Sequence, residues 1–532
     1  MPVKKALRGI IKRKKEIFLS VLSGLLLTCS FPKIGADWVA WFSLVPMLFA
    51  LQSLPPRSAF YMGLTTGGVH YLTLLYWLIP MMETYGSISL WLGTCLIFLL
   101  ALYLGLYVAA FSAILKRYCI QPLSIFFLIP VLIVSFEYLR SFLFSGFPWE
   151  LLGYSQYNRL SLIQISDITG VYGVSFLVAL VNGAIFIILL NLTKGRWQNL
   201  LVSKKAAAGS AGLTVLMLAA VILYGNQRIK TVDELQSGSP TAKISVIQGN
   251  IDQSKKWEHE YQQTTVDKYI RLSLSTSSES PELIVWPETA TPFYFLSKYQ
   301  LYLTRLIQEG VKRSGAFFLV GSPSYERNDN KIEYYNSAYL LNPEGDSTGK
   351  YSKVHLVPYG EYIPLKKWFF FLGKLVAQAG DFKSGKKGST LKWGENRIGI
   401  QICFEVIFPE LARAMAKNQA ALFVNITNDA WFGTSSGPYQ HFSMTIFRSV
   451  ENKRALVRSA NTGISGFIDP CGRILSKTPL STEAVLTQTV PLMEIETVYM
   501  LVGDLFALVC LVSASLYVVF CFIKKKYRTG GT

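Results

Sequence analysis

Apolar residues follow two different rhythms along the 532-residue chain. Up to about residue 227, and again after about 496, they run in long, nearly unbroken stretches. Between those limits they come in short bursts separated by polar and turn residues. A helix needs about 20 mainly apolar residues to cross a bilayer. On that measure the long stretches predict eight spans, near 17–34, 37–53, 58–81, 88–115, 122–144, 162–192, 207–226 and 498–523. The second is short and contains Pro46, and the sixth is long enough to include an interfacial stretch.

In the middle region, runs rich in β-branched and aromatic residues predict strands at Lys243–Gln248, Leu283–Trp286, Ala316–Val320 and Ser337–Leu341. Further strands are expected at Arg397–Ile402, Ala421–Ile426, Ala455–Ala460 and Gly466–Asp469. Helical patterns fall around Gln262–Leu274, Lys298–Arg313, Pro409–Lys417 and Phe442–Lys453. Such alternation implies a layered α/β domain around a buried sheet. The expected organisation is a seven-span membrane domain (1–227), a soluble catalytic domain (228–496), and a last span with a basic tail (497–532).

Composition agrees with a membrane part joined to a soluble one. Hydrophobic residues make up 51% of the chain and charged residues 16%, where a soluble protein carries about a quarter charged. The net charge of +19 raises the question of nucleic acid, but no basic stripe interleaved with aromatics runs through the middle region, so that partner is excluded. The excess sits beside the apolar stretches instead. Lys4, Lys5, Arg8, Lys12, Arg13, Lys14, Lys15, Arg57, Lys116, Arg117, Lys194, Arg196, Lys204, Lys205, Lys524, Lys525, Lys526 and Arg528 all fall on one side of an eight-span arrangement, with Glu16 as the one acid. The positive-inside rule then puts both termini in the cytoplasm and 228–496 outside, in the periplasm of a Gram-negative cell or its equivalent. The first apolar segment lacks an A-x-A-like cleavage site, so it reads as a retained signal-anchor. Five of the seven cysteines accompany apolar segments and no C-x-x-C pair occurs, so neither a zinc site nor a disulfide framework is indicated.

Candidate chemistry lies at strand ends, where an α/β sheet holds side chains rigidly at the mouth of a crevice. Cys403 sits on a tight strand-to-helix connection, and a helix N-terminus there would favour its thiolate; a free cysteine is also a common small buried hydrophobe. Glu288 follows an apolar strand and Trp286-Pro287, a setting in which a carboxylate can take a proton from a thiol, although a surface acid is commoner. Lys353 lies in a loop, where lysines are usually solvated; in a site it would hold a developing oxyanion.

The words around these residues resemble the nitrilase superfamily, whose members use Glu, Lys and Cys in this chain order. They are Trp286-Pro287-Glu288, Lys353 with Leu356-Val357-Pro358-Tyr359-Gly360-Glu361, and Ile402-Cys403-Phe404-Glu405. The fuller set is similar to one membrane branch, the apolipoprotein N-acyltransferases. It adds Gln248-Gly249-Asn250-Ile251 with Lys256-Trp257, Tyr362-Ile363-Pro364, Asn425 to Gly433, Gln440-His441, Arg458 to Gly463 and Gly146-Phe147-Pro148-Trp149.

That resemblance implies a nitrilase-like αββα sandwich carried by the spans, in a multi-pass protein of the bacterial inner membrane. It implies an acyltransferase with Glu288 as general base, Lys353 as oxyanion holder and Cys403 as nucleophile. Glu361, Phe404 and Glu405 would support them, and no metal or cofactor is expected. Trp257, Tyr359, Asn425 and Trp431 are candidate substrate or lid residues, with Trp368–Gly373 as a lipid-facing arm and Asp429 as a further pocket residue. Core packing is an equally good reading of Trp257. His355 and His441 read as structural. The expected partners are the membrane, a phospholipid donor of the phosphatidylethanolamine type, and a lipoprotein bearing an N-terminal diacylglyceryl-cysteine. The expected reaction runs through a Cys403 thioester, with the donor's sn-1 chain transferred to the acceptor's α-amino group. A transporter would need several charges inside its spans, where only Glu137, Asp167 and Asp504 qualify. A tethered amidase acting on a small soluble substrate would not need eight spans.

Overall fold

The computed structural model describes residues 13–328, 331–362 and 381–529. The chain divides into two compact units. One comprises residues up to Ile79, Trp91–Asn226 and Asp504 onward, and the other comprises Pro80–Leu90 and Gln227–Gly503.

The first unit is helical. Among the described residues five helices are long and apolar enough to cross a membrane: Leu90–Tyr118, Leu123–Ser145, Val171–Leu192, Lys204–Ser237 and Leu505–Lys524. These answer to the spans expected at 88–115, 122–144, 162–192, 207–226 and 498–523; the three expected nearest the N-terminus form helices that do not meet the same measure of length and apolarity. The segment expected at 17–34 forms the 16-residue helix Lys14–Cys29, about 24 Å long at 1.5 Å per residue. The one expected at 37–53 breaks into Asp37–Trp41 and Val45–Leu51, with Pro46 opening the second piece. The one expected at 58–81 ends as a helix at Leu74, and Thr65, Thr66, Gly67, Gly68 and His70 dilute its apolar character.

Burial ranks the long helices. Within its most apolar window Val171–Leu192 has 72% of residues buried, against 17% for Lys204–Ser237 and for Leu505–Lys524. The first is thus the centre of the bundle, and the other two turn apolar side chains such as Val215, Leu216, Leu516 and Phe520 outward. Small residues let helices approach closely, which is how helices associate where lipid removes the hydrophobic drive. A Cβ on Gly63 would stand 2.5 Å from the Val108 carbonyl oxygen. The buried Asn182 ties the core together, accepting from the Leu44 amide at 2.8 Å and donating to the Ala40 carbonyl at 2.8 Å.

The second unit holds twelve described strands: β1 (Thr241–Gln248), β2 (Leu283–Val285), β3 (Phe317–Asn328), β4 (Lys331–Leu341), β5 (Ser347–Ser352), β6 (Thr390–Trp393), β7 (Asn396–Ile402), β8 (Leu422–Thr427), β9 (Ala455–Ala460), β10 (Gly466–Ile468), β11 (Ile474–Lys477) and β12 (Ala484–Pro491). They form two six-stranded sheets, in the orders β12-β1-β2-β3-β4-β5 and β11-β10-β9-β8-β7-β6. In each sheet three strands run parallel, β1-β2-β3 and β7-β8-β9, and the remaining pairings are antiparallel. The parallel strands are buried almost throughout, as strands covered on both faces must be.

Helices His259–Leu274 and Leu301–Ser314 cover the first sheet through Val266, Tyr269, Ile307 and Val311. Helices Pro409–Lys417 and Gly437–Asn452 belong with the second sheet, where Met415 reaches Gly399 of β7. The result is the expected αββα sandwich. Trp286, fully buried just beyond β2, shows how the core fixes a strand end. Its ring stacks on Tyr269 at 5.0 Å, meets Phe318 edge-on at 5.8 Å, and donates its indole N–H to Ser273 Oγ at 2.8 Å. Truncating such a side chain costs about 3–5 kcal/mol.

Candidate active site

Three strand ends and one loop carry the site, all in the second unit. Pro287-Glu288 leaves β2 past Gly321 of β3, where any Cβ would meet the Pro287 carbonyl oxygen at 2.2 Å. That glycine lets the Glu288 main chain lie against the neighbouring strand. Lys353 follows β5, held by its amide N–H donating to the Asn336 carbonyl at 2.8 Å. Cys403 follows β7 with φ of 53°, a left-handed backbone that costs a non-glycine residue of order 1–3 kcal/mol. It opens a five-residue 3-10 turn, Cys403–Ile407.

These side chains converge. Lys353 Nζ lies 3.0 Å from the Glu361 carboxylate and 3.8 Å from Glu288 Oε1. Asn336 Nδ2 donates to both acids, at 2.7 Å to Glu288 and 2.9 Å to Glu361. The other Glu288 oxygen accepts the Asn428 amide N–H at 2.9 Å, and Glu361 also accepts the Val357 amide N–H at 2.8 Å. Glu288, Lys353, Glu361 and Cys403 are all buried. Burial alone would strip the proton from Lys353, but the Glu361 and Glu288 carboxylates outweigh it and hold the ammonium well above the usual lysine range. A fixed positive charge is the outcome.

Cys403 behaves differently from the thiolate expected at a helix N-terminus. Burial first, and then the Glu288 carboxylate, push its thiol well up, while Lys353 pulls the other way. A short 3-10 turn supplies little dipole against this desolvation. The resting group is therefore a neutral thiol beside a carboxylate able to accept its proton.

Glu405 and Phe404 brace this arrangement. The Glu405 carboxylate accepts the amide N–H groups of Val354 (2.6 Å), His355 (3.1 Å) and Ile402 (2.7 Å), and the Tyr351 hydroxyl at 3.0 Å. It ties the loop of Lys353 to the turn of Cys403, and burial lifts it to about 7 against the pull of those donors. Phe404 packs edge-on against Phe408 at 5.3 Å. His355 stacks on Phe408 at 3.6 Å and is kept neutral, lowered to about 4 by burial and Lys353.

The remaining candidates spread out. Asn425 is buried within β8, donating to the Gln401 carbonyl at 2.9 Å and accepting from Arg458, so its polar atoms are engaged by neighbouring strands. Trp431 meets Tyr85 edge-on at 4.8 Å. Tyr359 sits at φ of 61° in the turn before Glu361. Trp257 is half-buried, and its indole N–H finds no partner among the described residues. The segment Trp368–Gly373 lies outside the described residues.

His441, read as structural, lies directly behind the nucleophile. Its Nε2 is 3.2 Å from the Cys403 carbonyl oxygen, and its Nδ1 is 2.9 Å from Asp429 Oδ1. Asp429 also accepts from Arg458 at 2.7 Å. Sequence reasoning missed Asn336, Asn428 and Lys256 as site residues. Lys256 is fully buried, its amine 2.8 Å from Thr289 Oγ1 and 3.4 Å from the Glu288 carbonyl oxygen. The one described cluster with metal-ligand geometry, Asp233, Asp469 and Cys471, is occupied by Arg473, whose guanidinium pairs with both aspartates at 2.7 and 2.9 Å.

A family model described as the apolipoprotein N-acyltransferase N-terminal domain matches residues 23–184, and one described as carbon-nitrogen hydrolase matches residues 243–499. The chain is 43% identical over 517 residues to an apolipoprotein N-acyltransferase of Geobacter metallireducens, covering 96% of both chains. It is 30% identical over 504 residues to one of Pasteurella multocida, covering 93% of both. This chain belongs to the apolipoprotein N-acyltransferase family. The acyltransferase thus carries a carbon-nitrogen hydrolase domain, and the site described above lies wholly within that domain.

Proposed function

We propose that the protein completes bacterial lipoproteins by moving the sn-1 acyl chain of a phospholipid onto the α-amino group of an N-terminal diacylglyceryl-cysteine, through a thioester on Cys403. The observation that carries this reading is the buried convergence of a neutral Cys403 thiol, the Glu288 carboxylate and the permanently charged Lys353.

In the first half, Glu288 takes the S–H proton as sulfur attacks the ester carbonyl. Lys353 faces the negative charge that develops on the carbonyl oxygen, a contribution whose removal costs about 10²–10³ in rate. The ester C–O bond breaks, Glu288 returns its proton to the leaving alkoxide, and a lysophospholipid departs. In the second half the acceptor amine attacks the thioester. Glu288 takes the amine proton and passes it to the departing Cys403 sulfur, so enzyme and proton count are restored. Glu361 holds the Lys353 ammonium in place throughout.

A membrane setting suits two lipid substrates, because withdrawing an acyl chain into water costs about 0.8 kcal/mol per CH₂. The apolar helices on either side of the hydrolase domain support it. The one-sided distribution of basic residues supports cytoplasmic termini, a periplasmic catalytic domain and residence in the inner membrane. We assign phosphatidylethanolamine-type phospholipids as the donor class.

The test is mass spectrometry of the intact protein after incubation with phospholipid alone. A gain of one acyl chain on Cys403, released by a diacylglyceryl-cysteine peptide and absent in Cys403→Ala, is expected. An unmodified Cys403 with donor present would overturn the thioester route.

A further inference from the structure

Among the buried basic side chains that the mechanism above leaves unused, Lys256 reaches the main chain of Glu288. Lys256 is fully buried, and among the described residues no carboxylate lies within ion-pairing distance of its amine. Burial of an amine without a direct counter-ion is costly and lowers Lys256 to about 7 against the pull of the Glu288 charge, so the position calls for a physical account.

Its surroundings supply one. Lys256 ends a turn that begins at Asp252: the amide N–H groups of Lys255 and Lys256 donate to the Asp252 carbonyl, and the Asp252 carboxylate accepts from Ser254. The next residue is Trp257. From this turn the amine reaches across to Thr289 Oγ1 at 2.8 Å and to the Glu288 carbonyl oxygen at 3.4 Å. Thr289 has φ of 47°, so the chain just after the catalytic acid is held in a left-handed conformation. The same turn is pinned a second time to the surroundings of Glu288. Gln253 Oε1 accepts from Asn428 Nδ2 at 2.7 Å, and the Asn428 amide holds Glu288 Oε2.

We propose that Lys256 is a positioning residue for the acyl transfer: its amine fastens the Trp257 turn to the Glu288–Thr289 main chain, behind the Glu288 carboxylate. This rests on the reading of Glu288 as the base. The charged and titratable groups facing Glu288 are Lys353 at 3.8 Å, the Cys403 thiol, Glu361 through the shared Asn336, and Lys256. A purely structural lysine would alter stability without moving the pH dependence of the first half-reaction.

The experiment uses the full-length protein in detergent micelles, following acyl-mass gain on Cys403 from phosphatidylethanolamine between pH 5 and 9. Lys256→Met keeps the side-chain length and removes the charge. Its rate is expected to fall roughly tenfold, and the change of rate around pH 7 that loss of the Lys256 proton brings in the wild type to disappear. Thr289→Ala keeps the amine and loses the anchor, so it should lose rate with that change around pH 7 retained. It also serves if Lys256→Met fails to fold. A pH profile of Lys256→Met superposable on that of the wild type, or a Thr289→Ala rate equal to the wild type, would overturn the inference. Failure of the wild type itself to gain an acyl chain would instead sink the thioester reading.

Discussion

The Glu405 carboxylate accepts the Val354 amide N–H at 2.6 Å, one residue beyond Lys353. A buried acid two positions from the nucleophile thereby sets where the site's fixed cation stands. Its folded value of about 7, against an ordinary 4.5, means that the folded state holds the Glu405 proton more tightly than the unfolded chain. The associated stability is full below about pH 4.5 and is lost as pH climbs towards 7. Glu405→Gln should remove this slope, worth roughly 3 kcal/mol at most at about 1.4 kcal/mol per unit. Melting temperatures across that window, compared with the wild type, provide the check.

Cys403 should alkylate slowly at neutral pH, and faster as pH rises past 9, because its thiol is pushed up by burial and by Glu288. Glu288→Gln deletes a neighbouring negative charge and should speed iodoacetamide labelling by roughly tenfold at fixed pH while abolishing acyl transfer. Lys353→Met should slow labelling by a similar factor. Peptide mass spectrometry of the Cys403 fragment reads both, and equal labelling in all three proteins would refute the electrostatic assignment.

Asn336 hydrogen-bonds both acids of the site through one amide nitrogen. Hydrogen bonds to charged groups contribute about 1.5–3 kcal/mol, so Asn336→Ala should lower acyl transfer roughly 10- to 100-fold. Assays of overall turnover, at matched amounts of folded protein, distinguish this from a loss of stability.

In the membrane unit, Gly63→Val would drive a branched side chain into the Val108 carbonyl, which a Cβ alone already approaches to 2.5 Å. The helices Pro56–Leu74 and Leu90–Tyr118 would have to separate. The yield of monodisperse protein in detergent should drop several-fold, while Gly209→Val, where a Cβ meets no atom within 4 Å, should leave it unchanged.

Much of the hydrolase domain was legible from its apolar bursts, and what was missed has a common cause. The strands not anticipated were β5, β6, β11 and β12, with β4 foreseen only in part. Those four are the outermost strands of the two sheets. Edge strands face solvent along one side and carry polar residues, as in Ser347-Thr348-Gly349-Lys350, so they lack the buried run that marks a central strand. The 37–53 segment reads as one run because hydropathy averages across Phe42 to Leu44, where the helix breaks. At the site, Glu288, Lys353 and Cys403 stood out through their motif settings. Asn336 did not, and Asn428 and Lys256 lay within quoted motifs without a role, since an asparagine beside a strand or a lysine in a polar turn has no local signature of its task. Only the pairing of β4 with β5 and the approach of the 252–257 turn to Glu288 give them a task.

The left-handed backbone at Cys403 also limits which chemistries evolution or design can try at this turn. A serine has the same slim branching at Cβ and fits the conformation, so an oxygen nucleophile is sterically admissible there. Threonine, with a second substituent on Cβ, is strongly disfavoured at positive φ. The turn therefore screens nucleophiles by shape before reactivity is ever tested, and a repurposed version of this scaffold would have to choose between sulfur and a primary alcohol.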